Sequence, residues 1–199
     1  MNSFITRPVI LASQSPRRKQ LLEWACVDFE VQVSEADESF KMGTSPEAVA
    51  LQIAKRKADA VWNHSDKKRV VIAADTIVVC EGEIIGKPVD REDAIRILQK
   101  LSGNVHQVIT GVCIKSVIKD IEFFDVTEVR FHPLTESQIC FYVDGFKPYD
   151  KAGAYAIQEW IGVVGIHSIR GDFYNVMGLP VSRVMEALRQ LDQVILPKT

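Results

Sequence analysis

Asp75 breaks an otherwise apolar run, "VVIAADTIVV". A carboxylate in a central strand costs several kcal/mol unless it is paired or hydrated. A bulge or strand end would explain it innocently. Held on a rigid strand beside a metal-bound water, it would instead act as a general base. Thr76 alternates to the opposite side in an ideal strand and reaches the same ligand only where the strand twists or ends.

A second group of residues sits in "LASQSPRRKQLLE". Ser15 and Pro16 signal a helix start, and Arg17, Arg18 and Lys19 follow in the first turn. A helix N-terminus carries about half a unit of positive charge, so cations there are disfavoured. Either the side chains snorkel to solvent, or they form an anion site. In the second case the helix N–H groups, the Ser13 and Ser15 hydroxyls and two guanidinium forks would surround a phosphate chain. The pattern is neither a P-loop nor a G-x-G-x-x-G fingerprint.

Three carboxylates, Glu35, Asp37 and Glu38, fall within four residues. They make a solvated turn or hold Mg²⁺ or Mn²⁺, ions that take carboxylate oxygens and leave positions for substrate phosphates. Lys57 shares a helical stripe with Ala50, Ile53, Ala54 and Val61, whereas Lys55 and Arg56 point elsewhere. It snorkels its stem or lines a site where a negative ligand compensates it. Lys87, between Gly86 and Pro88, is a phosphate ligand candidate. Gln158, at the end of "DKAGAYAIQ", offers an amide for reading a base edge. Cations for a phosphate chain, acids for a metal and a buried acid for water together point to metal-dependent hydrolysis of a phosphoanhydride. No Ser-His-Asp or Cys-His arrangement suggests a covalent intermediate.

The elements that must position these groups can be read from periodicity and caps. Strands are expected at 7–12, 27–33, 69–79, 106–117 and 121–131, with a short one at 84–88. Helices are expected at 15–26, from Ser45-Pro46 to about Trp62, over 91–101 after an Asp90 cap and before Gly103, from the Thr135/Gln138 capping box to about Val143, and over 181–191. Residues 145–159 read as a loop, and "VVGIHSIRGDFYNVMG" reads as a hairpin turning at Gly171-Asp172. The fold class is α/β with a mixed sheet.

The chain has 199 residues, 47% hydrophobic and 25% charged, which is enough for one domain with a core. A net charge of −2 gives no global field for nucleic acid. No apolar run approaches the roughly 20 residues of a membrane span. Cys26, Cys80, Cys113 and Cys140 are scattered, as expected of reduced thiols in the cytoplasm, and the histidines show no zinc spacing.

The segments "LASQSPRRKQLLE", "AADTIVV", "GKP", "LSGNVHQVITGV" and "DKAGAYAIQ", in this order, resemble the Maf family of nucleoside triphosphate pyrophosphatases from about Ile10 to Leu191. The resemblance implies a single Maf-like domain over 1–199, similar to inosine-triphosphate pyrophosphatase: a long mixed sheet with helices, two lobes and a central cleft. It implies hydrolysis of a nucleoside triphosphate to the monophosphate and pyrophosphate with a divalent metal, Mg²⁺ or Mn²⁺. Asp75 would be the proton acceptor and, with Glu38, a metal ligand. Glu38, Lys57 and Lys87 would be catalytic. Ser13, Arg17, Arg18, Thr76 and Gln158 would bind substrate, with Arg17, Thr76 and Gln158 tied to substrate choice.

"DKAGAYAIQ" resembles the branch acting on dTTP and UTP rather than the one acting on 7-methyl-GTP. One departure is Glu159-Trp160, where a glycine more usually follows the glutamine. A homodimer is the assembly the resemblance suggests, and the family is also linked to arrest of cell division. A nucleotide-sensing, division-inhibiting module that needs no Asp75 is therefore the second reading. A nucleic-acid binder using Arg17, Arg18 and Lys19 is the third, with the net charge against it.

Overall fold

The computed structural model describes residues 9–33 and 35–191. In chain order the elements are β1 (Val9–Leu11), α1 (Pro16–Trp24), β2 (Phe29–Val31), α2 (Pro46–His64), β3 (Val71–Cys80), β4 (Glu83–Ile85), α3 (Arg91–Leu101), β5 (Val105–Lys115), β6 (Ile121–Phe131) and α4 (Glu136–Phe146). A 3₁₀ turn (Ala152–Ala154), α5 (Trp160–Gly165), β7 (Ile166–Arg170), α6 (Phe173–Met177) and α7 (Val181–Gln190) complete them.

Seven strands form one mixed sheet in the order β2-β1-β3-β5-β6-β7, with β4 also paired to β3. Strand β1 runs parallel to β2 and β3; β4 is antiparallel to β3, and β7 to β6. Ile10 and Leu11 of β1 lie opposite Val71 and Ile72, whereas β4 lies opposite Val78 to Cys80. Asp75 and Thr76 fall between these two registers. They are the only residues of β3 that are not buried. The polar pair therefore interrupts the apolar run where one partner strand has ended and the next has not begun.

The chain divides into two compact units. The first takes the chain up to Asp75, Thr110–Phe124 and the chain from Gly178 onward; the second takes Thr76–Ile109 and Asp125–Met177. In the first unit α2 covers β1, β3 and β5: Ala54, Ala58 and Val61 pack against Ile10, Ala12, Val71, Ala73 and Cys113. Small residues bring this helix close. A Cβ on Gly111 of β5 would lie 2.4 Å from the Ala50 carbonyl carbon, so only glycine allows the approach. Burying Val49, Ala50, Ile53, Ala54, Ala58 and Val61 fixes the rotation of α2 about its axis. Ser45 caps the helix by accepting the Ala48 N–H, and Pro46 fills its first turn.

In the second unit α3 packs against α4 and the 3₁₀ turn. His106 of β5, Phe131 of β6 and Tyr155 form a ring cluster with centroids 5.1–5.4 Å apart. The expected capping box of Thr135 and Gln138 is present, and Asp90 caps α3.

The expected hairpin at the end of the chain is not formed. Trp160–Gly165 is helical, β7 pairs with β6 through Arg130↔Ser168 and Glu128↔Arg170, and Phe173–Met177 is a second short helix. The Asp172 carboxylate accepts the Tyr174 N–H at 2.8 Å and turns the chain into that helix. Asn175 is then buried, donating to Val108 O at 3.1 Å and Thr127 Oγ1 at 3.0 Å. Polar side-chain bonds of this kind leave no trace in hydrophobic periodicity. The strand expected at 27–33 shortens to 29–31, and α2 continues to His64.

Candidate functional site

The rotation of α2 set by its apolar face brings Lys57 to β3. Its ammonium lies 2.6 Å from Asp75 Oδ1 and 2.6 Å from Glu38 Oε1. Lys57 and Asp75 are largely buried, whereas the Glu38 side chain is about half exposed. One cation thus joins two carboxylates, on a strand and on a loop, that the sequence separates by more than thirty residues. This pairing offsets the cost of placing an acid in β3.

Glu38 owes its position to its neighbours. Asp37 accepts the Ser39 N–H at 2.8 Å and the Ser39 hydroxyl at 2.6 Å, and these bonds hold its carboxyl below the usual carboxylate range. Arg56, one residue before Lys57, donates to Ser39 O at 2.7 Å and reaches Asp37 at 3.5 Å. The three acids therefore separate: Glu38 faces Lys57, Asp37 builds the loop, and Glu35 lines a different groove with Gln32, Val33 and His64.

At α1 the charges at the wrong end of the helix have an internal explanation. Arg18 is buried rather than snorkelled. It donates through Nε to Gly178 O at 2.7 Å and through Nη1 to Ser13 Oγ at 3.1 Å. Gly178 has φ +117°, a conformation that suits glycine. Burial lowers the Arg18 pKa from its ordinary value, against which the Asp75 carboxylate works; Arg17 lowers it further and Glu38 raises it. Arg18 thus feels both carboxylates that Lys57 binds. Ser13 Oγ also accepts the Ser15 N–H at 3.2 Å, so it keeps its own proton to donate. Arg17 is half-buried. Ser13, Arg17, Arg18, Glu38, Lys57 and Asp75 all belong to the first unit.

The donor set can be tested against a divalent cation. The Glu38 and Asp75 oxygens contact the same nitrogen, so they lie no more than twice 2.6 Å apart. Among the described residues no group of three or more His, Cys, Asp or Glu could hold a metal. Two carboxylates without a cage suit Mg²⁺ or Mn²⁺, which fill their remaining positions with water and substrate phosphates. The residues fit such an ion better than Zn²⁺, which prefers nitrogen and sulfur ligands.

Thr76, Lys87 and Gln158 belong to the second unit. Lys87 and Gln158 are exposed, and Thr76 is half-buried. Their segments meet: Gly153 N–H donates to Gly86 O at 3.1 Å. Gly153 has φ +72°, and a Cβ there would come within 2.9 Å of Val78, so the small residues of "DKAGAYAIQ" serve close packing. The Tyr142 hydroxyl accepts the Ala156 N–H at 3.2 Å and donates to Glu159, which also faces buried Lys151 at 3.6 Å.

Sequence reasoning overlooked Arg56, Gly178 and Tyr142. Arg56 leaves the apolar stripe of α2, and that placement lets it clamp the acidic loop. Tyr142 lies on the apolar face of α4 and gave no polar signal. Gly178 was the one with a visible hint, since "MGLP" places a glycine before a proline-capped helix.

Residues 8–191 match the family model described as Maf-like protein. A dTTP/UTP pyrophosphatase of Cytophaga hutchinsonii is 47% identical over 96% of this chain and 87% of its own length. One of Bacteroides fragilis is 47% identical over 92% and 95%, and one of Bacillus cereus 46% over 94% and 96%. The Ham1 protein of Staphylococcus aureus shares the fold, with a TM-score of 0.50 and 15% identity over 94% of this chain and all of that one. With its family model covering nearly the whole described chain and relatives of this identity along the same length, the chain belongs to the Maf family.

Proposed function

We propose that this chain hydrolyses dTTP and UTP to the monophosphate and pyrophosphate. The observation that carries the reading is the convergence of Asp75 and Glu38 on the Lys57 ammonium, with buried Arg18 electrostatically coupled to both acids. The names of the curated relatives supply the nucleotides. The same names favour this branch over the 7-methyl-GTP branch.

Asp75 is the proton acceptor. It orients a water for attack on phosphorus, takes its proton as the new P–O bond forms, and the anhydride P–O bond to the pyrophosphate leaving group breaks. Arg17, Arg18 and the Ser13 hydroxyl bind the phosphate oxygens and spread the charge that develops on them. Lys57 holds Asp75 and Glu38 in place by its two ion pairs, and can turn a donor toward phosphate. Glu38 and Asp75 would hold Mg²⁺ or Mn²⁺, which would neutralise phosphate charge and polarise water. Lys87 is proposed as a further phosphate ligand, and Thr76 and Gln158 as base- or sugar-reading groups. A cytoplasmic site of action suits nucleotide substrates and four cysteines that form no disulfide; a homodimer is the proposed assembly. Among the described residues, no helix is long and apolar enough to cross a membrane.

The test is a nucleotide panel with Mn²⁺ or Mg²⁺. Pyrophosphate release from dTTP and UTP supports the reading; stepwise release of orthophosphate, or no turnover of any nucleotide, refutes it. Asp75→Asn separates catalysis from the second reading, a sensing module. The enzyme reading expects turnover to fall at least about a thousandfold with nucleotide binding retained.

A further inference from the structure

The chain has 4 histidines, and two of them are engaged inside the fold. His64 bonds Ala60 O through Nδ1 at 2.8 Å, and His106 meets the Tyr155 hydroxyl through Nε2 at 2.8 Å. His132 and His167 are exposed, and among the described residues no hydrogen bond occupies either ring. Their rings stand side by side, with centroids 4.9 Å apart and planes at 65°. They lie far apart in sequence, so no ligand spacing announces the pair.

The backbone brings them together. His132 directly follows β6, and His167 lies in β7. The register pairs Arg130 with Ser168 and Phe131 with Ile166, so His167 is an extra residue at a bulge. A bulge re-aims the side chain that it carries. The His132 N–H donates to Gly165 O at 2.8 Å, and its carbonyl accepts the Gly103 N–H at 3.1 Å. The second ring therefore rests beside a backbone held on both sides.

The separation of the rings has a chemical meaning. An imidazole nitrogen binds Zn²⁺ at about 2.0–2.1 Å, which puts the ion about 3.2 Å from the ring centre. Two rings on one ion, at roughly 90° to 110°, then have centres about 4.5–5.2 Å apart. The observed 4.9 Å falls inside this range. Turning an imidazole about its Cβ–Cγ bond leaves the ring centre nearly in place and swings the nitrogens. The backbone thus sets the spacing, and the freedom of exposed rings lets both nitrogens face one ion. Imidazole suits Zn²⁺, Ni²⁺ and Cu²⁺, whereas Mg²⁺ and Mn²⁺ favour oxygen.

We propose that His132 and His167 form a two-histidine site for a transition-metal ion, Zn²⁺, Ni²⁺ or Cu²⁺, with the remaining positions left to water. The site differs from the acid pair in ligand type, and it belongs to the second unit whereas Glu38 and Asp75 belong to the first.

The experiment titrates Ni²⁺ by calorimetry into wild type, His132→Ala, His167→Ala, the double variant and His64→Ala, each checked for folding by thermal melting. Excess Mg²⁺ is present throughout, so that the carboxylates are supplied with a hard ion. Wild type and His64→Ala take up one Ni²⁺ with equal affinity. Either single variant at the pair weakens that binding by at least about tenfold, since one imidazole cannot chelate. Mg²⁺-supported turnover stays within about twofold in all of them. No Ni²⁺ uptake by wild type, or equal uptake by wild type and the double variant, overturns the site. Loss of binding with only one of the two rings overturns the pairing. Should an alanine variant fail to fold, His132→Gln and His167→Gln decide by the same criteria.

Discussion

Lys57 Nζ lies 2.6 Å from Asp75 Oδ1, so a helix residue neutralises the strand carboxylate proposed to accept the water proton. The same nitrogen lies 2.6 Å from Glu38 Oε1. An ammonium so placed competes with a divalent cation for two oxygens. Replacing Lys57 with methionine keeps most of the stem and removes the charge. We expect Lys57→Met to bind Mn²⁺ about tenfold more tightly without nucleotide, since the two carboxylates then lose the ammonium that lies between them. Without metal the variant is less stable by about 2 kcal/mol, because the two acids lose the cation that pairs with both. Titration calorimetry and melting with and without Mn²⁺ check both expectations. Unchanged Mn²⁺ affinity would show that ammonium and metal do not share these oxygens.

The two adjacent arginines of α1 should respond differently to the same change. Arg18 is buried and satisfies Gly178 O and Ser13 Oγ; Arg17 is half-buried. Arg18→Ala should cost about 2–3 kcal/mol of stability by leaving buried acceptors unpaired, and turnover as well. Arg17→Ala should lower turnover by about tenfold or more and shift the urea midpoint little. Equal stability losses in the two variants would contradict the division of labour.

Most of the fold is legible in the sequence because its signals are periodic or local. The apolar run of β3, the stripe of α2, the Ser15 and Ser45 caps and the Thr135/Gln138 box need no tertiary information. Lys57 is legible for the same reason, since the stripe that buries Ile53 and Val61 carries it inward. The bond from Lys57 to Asp75 and Glu38 is not legible, because it depends on how closely α2 meets the sheet over Gly111. The final hairpin fails as an expectation for a related reason. "WIGVVG" is too short for period to separate strand from helix, and β6 competes successfully for β7. Tyr142 and Arg56 act through contacts made across the chain, which spacing does not encode.

Arg56 offers a test of how the acidic loop is held. Its guanidinium grips Ser39 O and Asp37, the residues on either side of Glu38. Arg56→Ala should leave global stability within about 1 kcal/mol, as expected for a largely exposed contact. It should raise the Mn²⁺ concentration needed for half-maximal turnover by about threefold to tenfold, since Glu38 loses its fixed position. Arg56→Lys should recover little, because a single ammonium cannot reproduce the fork. A metal requirement identical to wild type would place the control of Glu38 in Lys57 alone.

The buried His106 makes stability depend on pH in a definite direction. Burial pushes its pKa down from 6.5 to about 4. Its Nε2 lies 2.8 Å from the Tyr155 hydroxyl, and its Nδ1 is buried without a hydrogen-bond partner. Burial also raises the Tyr155 pKa, so the phenol stays neutral and offers no charge to an imidazolium. Between about pH 6.5 and pH 4 the unfolded chain binds a proton at His106 that the folded chain refuses. The unfolded state then holds more protons, so stability rises with pH across this window and is lost as pH falls through it. From pH 7 to pH 5 the loss from this residue is about 2 kcal/mol. Glutamine cannot take up the proton, so in His106→Gln this part of the pH dependence disappears whatever the variant's starting stability. Urea unfolding of both proteins at pH 7 and pH 5 measures the difference. Parallel losses in the two would mean that the histidine is protonated in the folded state, and the neutral ring packed between Phe131 and Tyr155 would have to be abandoned.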